Sequence, residues 1–452
     1  MKVTQDVVDL LIDEFSCNED ALKTLSLVSR SWVPRARRHL FRTLCLPQFP
    51  QSRTGRDPAA GPMYNTQDFI SLCCNPHSTI LYAGPTRVTL AETETCVVEH
   101  FCDIIGGRES AFISMLSWLR ARREEEQEVA GTYAHKLFWN VRYLTLSTIG
   151  SKQSVEELKK LLLLSPFSHV TQLTIDLPAF RSQKSFSEIL SSFTSLKKLL
   201  IRPPFDMMTP MIDHSITDIT FPLSLTEVHA PHTSFLPIVE SCSTLEHLTI
   251  FVAYPVVQPQ FNAINHFLRS SAAVNNKRLK HCTLVLDPNN RYIPADINGL
   301  ATLVHFDRIE SWTVDTDWQA FLHGGFVPIP NVTTIVIRRW RMIRDVKTTM
   351  FDELIWGKMI ANLDGILSEC FLFPGLKNGG IIIHKPFDRE LLRRSGWDEV
   401  KGTVLQQSEA EHAMNEVLKE VQKILRKCNA KGLLKTHYVD DSMDFVALRR
   451  LF

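Results

Sequence analysis

Val141-Arg-Tyr-Leu-Thr-Leu146 opens a pattern that decides the architecture: an aliphatic residue, two variable residues, an apolar residue, one variable residue and a second aliphatic. The same six-residue phrase returns at Val170 (VTQLTI), Leu196 (LKKLLI), Leu225 (LTEVHA) and Leu245 (LEHLTI). It continues at Leu279 (LKHCTL), Ile309 (IESWTV) and Val332 (VTTIVI), so that it occurs eight times between residues 141 and 337. The starts are separated by 29, 26, 29, 20, 34, 30 and 23 residues. Thr43-Leu-Cys-Leu46 and Arg87-Val-Thr-Leu90 read as earlier, degenerate copies. Alternation of apolar and variable residues is the mark of a strand with one buried face. Positions one, four and six therefore face a core, and positions three and five face outward.

Between these strands the apolar spacing changes to that of helices. Ser154–Leu164 places Val155, Leu158, Leu161 and Leu162 on one face, and Ser185–Phe193 does so with Phe186, Ile189, Leu190 and Phe193. His232–Cys242 and Phe261–Leu268 follow the same rule. A strand returned by a short helix at a steady period sets neighbouring strands parallel. A mean period of about 27 residues resembles that of leucine-rich repeats, in which units that cannot bury an apolar face alone stack into a curved array. The asparagine that usually follows the strand in that family is absent, and the period is uneven, so an irregular solenoid is expected.

Its outward pairs are Tyr143/Thr145, Gln172/Thr174, Lys198/Leu200, Glu227/His229, His247/Thr249, His281/Thr283, Ser311/Thr313 and Thr334/Val336. Solenoids bind partners on the concave strand face. The threonines are accounted for by strand propensity. Tyr143, Lys198, Glu227, His247 and His281 are the candidate substrate-binding residues.

The first forty-six residues read as three short helices and a strand. Val7, Val8, Leu10, Leu11, Ile12 and Phe15 cover more than one stripe of the first helix. After the turn at Asn18–Asp20, Leu22, Leu25, Val28 and Trp32 mark the second, which Pro34 is expected to stop. Arg35–Phe41 forms a third, basic on its outer face, before the alternating Phe41–Leu46. The stretch Leu22-Lys-Thr-Leu-Ser-Leu-Val-Ser-Arg-Ser-Trp-Val-Pro-Arg-Ala-Arg-Arg-His-Leu-Phe41 resembles the second half of an F-box, closest to the large fungal F-box-like families. Val7–Phe15 matches its first helix in phase, while Val3-Thr4 stand where that family has Leu-Pro. The resemblance implies a partner, the small adaptor subunit of a cullin–RING ubiquitin ligase, received by Val8, Leu11, Leu25, Val28 and Trp32.

Composition sets the remaining bounds. Of 452 residues 44% are hydrophobic and 22% charged, with 50 basic against 49 acidic, a formal net charge of +1. That balance calls for neither nucleic acid nor a membrane. Ten scattered cysteines without a CxxC pair fit a reducing compartment, cytoplasmic or nuclear. Pro47–Ala83 is rich in Pro, Gly, Ser and Gln. Arg120–Glu128 is read as a solvated charged loop, Thr348–Cys370 as helix, Lys377–Gly380 as a turn before strand Ile381–Ile383, and Glu409–Cys428 as an amphipathic helix covering the open end. The divisions are thus 1–46 F-box-like, 47–85 an exposed connection, 86–400 the α/β solenoid with parallel strands and outer helices, and 401–452 a C-terminal cap.

Phosphate-loop, nucleophile-elbow and HExxH motifs are absent. Asp287–Tyr292 lacks the glycine of a calcium loop and has Arg291 at a ligand position. His229, His232 and His247 are read as coincident rather than metal-binding, and Asp315/Asp317 as a loop rather than an acid pair. No catalytic residue, metal or cofactor is expected. The leading expectation is a substrate-recognition subunit of an SCF-type ubiquitin ligase, not an enzyme, that binds an unknown protein substrate. The runner-up is a ligase-independent interaction scaffold of the same architecture, and an enzyme of unrecognised type comes third.

Overall fold

The computed structural model of the chain describes residues 4–16, 18–47, 66–75, 84–91, 114–115, 117–121, 138–147, 156, 158–160, 162, 167–176, 183–202, 221–252, 258–273, 279–286, 297–303, 309–317, 328–329, 332–338, 353–369, 371–377, 380–383, 419 and 421–435. The chain forms two compact units, Met1–Thr226 and Glu227–Phe452.

The first unit begins with three helices, α1 (Gln5–Glu14), α2 (Glu19–Val28) and α3 (Val33–Leu40), and passes directly into β1 (Thr43–Pro47). Among the described residues β1 is the first of five parallel strands, followed by β2 (Arg87–Ala91), β3 (Tyr143–Ser147), β4 (Gln172–Asp176) and β5 (Lys198–Arg202). The two degenerate copies, 43–46 and 87–90, are therefore members of the same ribbon. Helix α4 (Thr66–Cys74) precedes β2, and α5 (Gln183–Ser191) precedes β5. Within the stretch expected as an exposed connection, 47–85, α4 buries Phe69 completely. An apolar spacing of Phe69 and Cys73, one helical turn apart, anchors that segment to the core.

The burial follows the alternation. In β3, Val141, Leu144 and Leu146 are buried while Tyr143 and Thr145 are not; β4 and β5 bury Val170, Leu173, Ile175, Leu196, Leu199 and Ile201 likewise, but their expected outward residues Thr174 and Leu200 are buried too, as is Val336 in the second unit. Each such side chain contributes about 1.5–3 kcal/mol by leaving water. Two features of the unit escape the six-residue phrase. Phe138, Phe167 and Phe193 each stand three residues before its first position, are buried, and close a turn by accepting from that residue's amide. The rings of Phe138 and Phe167 lie 5.1 Å apart, so successive turns pack on one another. At position two, the hydroxyls of Thr86, Thr171 and Thr226 each donate, at 3.3 Å, to the carbonyl at the same position of the preceding unit (Arg42, Arg142 and Lys197). These bonds satisfy backbone acceptors where the strands are just beginning.

Among its described residues the second unit carries seven parallel strands: β6 (Glu227–Ala230), β7 (His247–Val252), β8 (His281–Leu286), β9 (Ser311–Asp317), β10 (Thr334–Arg338), β11 (Gly380–Ile383) and β12 (Leu434–Lys435). Its helices are the single-turn α6 (Leu236–Val239), α7 (Gln258–Ala273), α8 (Glu353–Ser368) and α9 (Arg426–Ala430). The inward set is again positions one, four and six, except that Ile309 is only half-buried. Thr334 pairs with Thr313, not with Ser311 at the matching place in the phrase. A slide of two residues keeps every side chain on its face, so the alternation tolerates it.

The C-terminal region differs from a simple cap. Of Glu409–Cys428, residues Met414, Val417 and Leu418 lie outside the described residues, and the described part is broken at Leu425 before α9. Val421, Leu425 and Cys428 are buried as the apolar spacing requires. The chain then turns at Gly432 (φ 67) and adds β12 to the ribbon. The amides of Gly432 and Leu433 donate to the carbonyls of Asn429 and Cys428, a pairing that closes the helix end and needs the left-handed glycine.

Candidate recognition surfaces

Packing among the three N-terminal helices selects one face of each. Val8 and Ile12, one turn apart on α1, meet Leu22 and Ala36 in a small core, with Leu25, Trp32 and Leu40 packed against it. Asn18 caps α2 by accepting from the Ala21 amide. Ser29 is extended and ends α2 at Val28, while Trp32 caps α3 and Pro34 occupies that helix's first turn. Pro34 thus opens α3 and does not stop α2, as suits a residue lacking an N–H where none is required. Across the helices the Arg35 guanidinium donates to Asp13 from Nε at 2.7 Å and Nη2 at 2.5 Å, and His39 Nε2 lies 2.7 Å from the same carboxylate. The Arg35 bond, then that from His39, hold the Asp13 carboxyl well below its ordinary range against the opposing effect of burial.

The five candidate docking residues divide accordingly. Val8 is 5% exposed and belongs to the helical core, and Leu25 and Trp32 are half-buried against it. Leu11 and Val28 are exposed, together with Val7, Leu10 and Leu27, the last at 86%. Leu10 and Leu27 are the residues that sequence reasoning passed over. Their signal was the excess of apolar positions beyond the single stripe that a three-helix core can bury.

The strand candidates fall in two rows. In the first unit Arg87, Tyr143, Gln172 and Lys198 are lateral neighbours, and the Arg87 guanidinium lies 5.1 Å from the Tyr143 ring centre. Thr89, Thr145 and Thr174 form the next row, Thr174 being buried. In the second unit Glu227, His247, His281 and Ser311 are neighbours. The His247 and His281 rings stack at 4.4 Å, and burial, aided by the nearby His247, pushes the His281 imidazole below its ordinary value. His229 lies 2.7 Å from the Glu227 carboxylate.

Among the described residues no group of three or more His, Cys, Asp or Glu side chains is placed to hold a metal ion, and no helix is long and apolar enough to cross a membrane. His229, His232 and His247 are not such a group. Asp315 and Asp317 lie in strand β9, not in a loop, because β9 stays paired with β10 (Thr334–Arg338) as far as Asp317, opposite Arg338. Burial drives the Cys282 and Cys428 thiols far up from their ordinary values. Asp287–Tyr292 and most of Arg120–Glu128 lie outside the described residues. No protein-family model and no curated protein matches this sequence.

Proposed function

We propose that the chain is a non-enzymatic recognition protein: the substrate-recognition subunit of a cullin–RING ubiquitin ligase, with an F-box-like N-terminus and leucine-rich-repeat-like units. The observation that carries this reading is the apolar surface left on α1 and α2. Leu10, Leu11, Leu27 and Val28 are exposed on helices whose sequence resembles an F-box, although a different set of apolar residues already fills their shared core. Exposed leucines on short helices are the anchors of a helix-in-groove contact. In the same unit α3 runs straight into β1, so the docking helices and the strand ribbon are covalently close. The adaptor is held by α1 and α2 and a protein substrate by the strands. The work done is proximity, since tethering raises the effective concentration of substrate lysines near a recruited conjugating enzyme.

The test is co-expression with the ligase adaptor. The wild-type chain co-purifies with it, and Leu27→Asp with Val28→Asp abolishes the complex while the far-ultraviolet circular dichroism stays unchanged, because neither side chain belongs to the core. Absence of a complex with the wild-type chain overturns the ligase assignment and leaves a scaffold that works without the ligase.

A further inference from the structure

Two imidazoles meet on the outward strand face of the second unit. His247 on β7 and His281 on β8 are register partners, and their rings stack with 4.4 Å between centres and 20° between planes. His247 is exposed and His281 half-buried. The next outward pair along the same two strands, Thr249 and Thr283, carries no charge. Among the described residues the charged groups around the stack come from four strands or from the residues that lead into them. On β6, Glu227 neighbours His247 and lies 2.7 Å from His229. Glu246 and Lys280, which precede β7 and β8, lie 3.9 Å apart. On β9, Ser311 neighbours His281, and the exposed Glu310 precedes it. Glu227 and Glu246 thus each have another partner.

We propose that the His247–His281 stack is a proton-operated contact, closed while at most one of the two imidazoles is protonated and opened when both are. The physical reason is distance. Neutral rings pack face to face, and a single added charge meets no like charge. A second proton sets two cations 4.4 Å apart, with His281 half-withdrawn from the water that would screen them. The protons therefore bind in two coupled steps, and His247, the exposed member, turns into solvent at the second. Burial and then the nearby His247 hold the His281 imidazole below the ordinary histidine value; Lys280 adds to this, while Glu310 and Glu246 oppose it. A histidine depressed in the folded state stabilises the fold fully above its unfolded value of about 6.5, and that stabilisation is lost as pH falls towards the folded value. The contact is thus closed at and above about pH 6.5 and opens in acid. Acidification turns a packed, uncharged pair on a candidate recognition surface into two separated cations. This inference goes beyond the ligase assignment and does not rest on it.

The experiment follows the full-length chain by nuclear magnetic resonance, isotopically labelled at the histidine Cε1 positions, with signals assigned by His247→Gln and His281→Gln. At neutral pH the ring current of His247 displaces the His281 resonance. In the wild type that displacement is expected to vanish through the second protonation step while the far-ultraviolet circular dichroism holds constant. His247→Gln moves the His281 midpoint upward, because cover and charge are both removed. His247→Phe keeps a ring but takes up no proton, so the displacement of His281 persists into acid. A His281 resonance without displacement at neutral pH, or a displacement that survives acid in the wild type, overturns the proposal. So does an equal loss in His247→Phe, an unmoved midpoint in His247→Gln, or an opening that coincides with loss of the circular dichroism.

Discussion

Replacing Asp364 by asparagine or alanine tests how the last strand is held. Asp364 lies on α8, is 5% exposed, and accepts from the Lys427 amide at 2.9 Å and the Cys428 amide at 3.0 Å. Its carboxylate thereby caps α9 from a position 63 and 64 residues away in sequence. Two further bonds join the same elements: the Cys428 thiol donates to the Asp364 carbonyl, and Lys431 Nζ donates to the Ser368 carbonyl at 2.6 Å. Losing a helix N-cap costs about 1–2 kcal/mol. A buried amide left without its charged acceptor costs about 1–3 kcal/mol. The Cys428 amide is buried and the Lys427 amide is nearer solvent, so the sum for Asp364→Ala is about 3 kcal/mol. Asp364→Asn keeps one acceptor oxygen and loses about 2 kcal/mol, since its amide nitrogen then faces a donor. The loss falls on α9 and β12, which are read by hydrogen exchange at the Ile381 amide (a donor to the Leu433 carbonyl at 2.7 Å) and at Cys428. Alkylation of Cys428 gives a second readout. Burial is the main cause of its raised thiol and the Asp364 bond and charge add to it, so Asp364→Asn makes Cys428 more reactive. Unchanged exchange at Ile381 together with unchanged alkylation of Cys428 would refute the capping argument.

Phe167→Ala removes a buried ring from the turn stack and is expected to destabilise the chain by about 3–5 kcal/mol in urea denaturation. Combined with Phe138→Ala the losses are non-additive by about 0.5–1.5 kcal/mol, the coupling of two touching rings, and strict additivity would count against the stack. Asp13→Asn removes the acceptor shared by Arg35 and His39. The folded-state pKa of Asp13 is below its unfolded value, so the stabilisation is fully present above about pH 4 and is lost as pH falls further, through the lower folded value. With the carboxylate about a third exposed, solvent screening limits the effect to on the order of 1 kcal/mol. Thermal melts of wild type and Asp13→Asn should differ at pH 6, and the gap should begin to narrow only as pH falls below about 4; a gap that widens in acid contradicts the sign.

Much of the architecture was legible because strand alternation is a local property. Val141, Leu144 and Leu146 are two or three residues apart, and a pleated strand puts them on one side whatever surrounds it. Parallel pairing then followed from the short crossovers. Helix phase was less informative at the N-terminus, where α1 is apolar on several sides. The sequence offered Val8 and Leu11 alike as docking residues, and only packing against Leu22 and Ala36 turned Val8 inward and left Leu10 and Leu11 outside. The end of α2 and the role of Pro34 turned on the backbone of Ser29, which lies beyond any apolar spacing.

The sequence alone determined which face of each strand is buried, since that depends on neighbours in the chain. Tertiary structure decided everything that joins distant segments. The two-residue slide between β9 and β10 preserves the burial pattern and so leaves no trace in it. The capping of α9 by Asp364 and the addition of β12 link positions more than fifty residues apart. The rows Arg87, Tyr143, Gln172, Lys198 and Glu227, His247, His281, Ser311 form only when parallel strands lie side by side. A formal charge adds up along the chain regardless of place, whereas the field that a partner meets depends on distances between charges, and those are set by the fold.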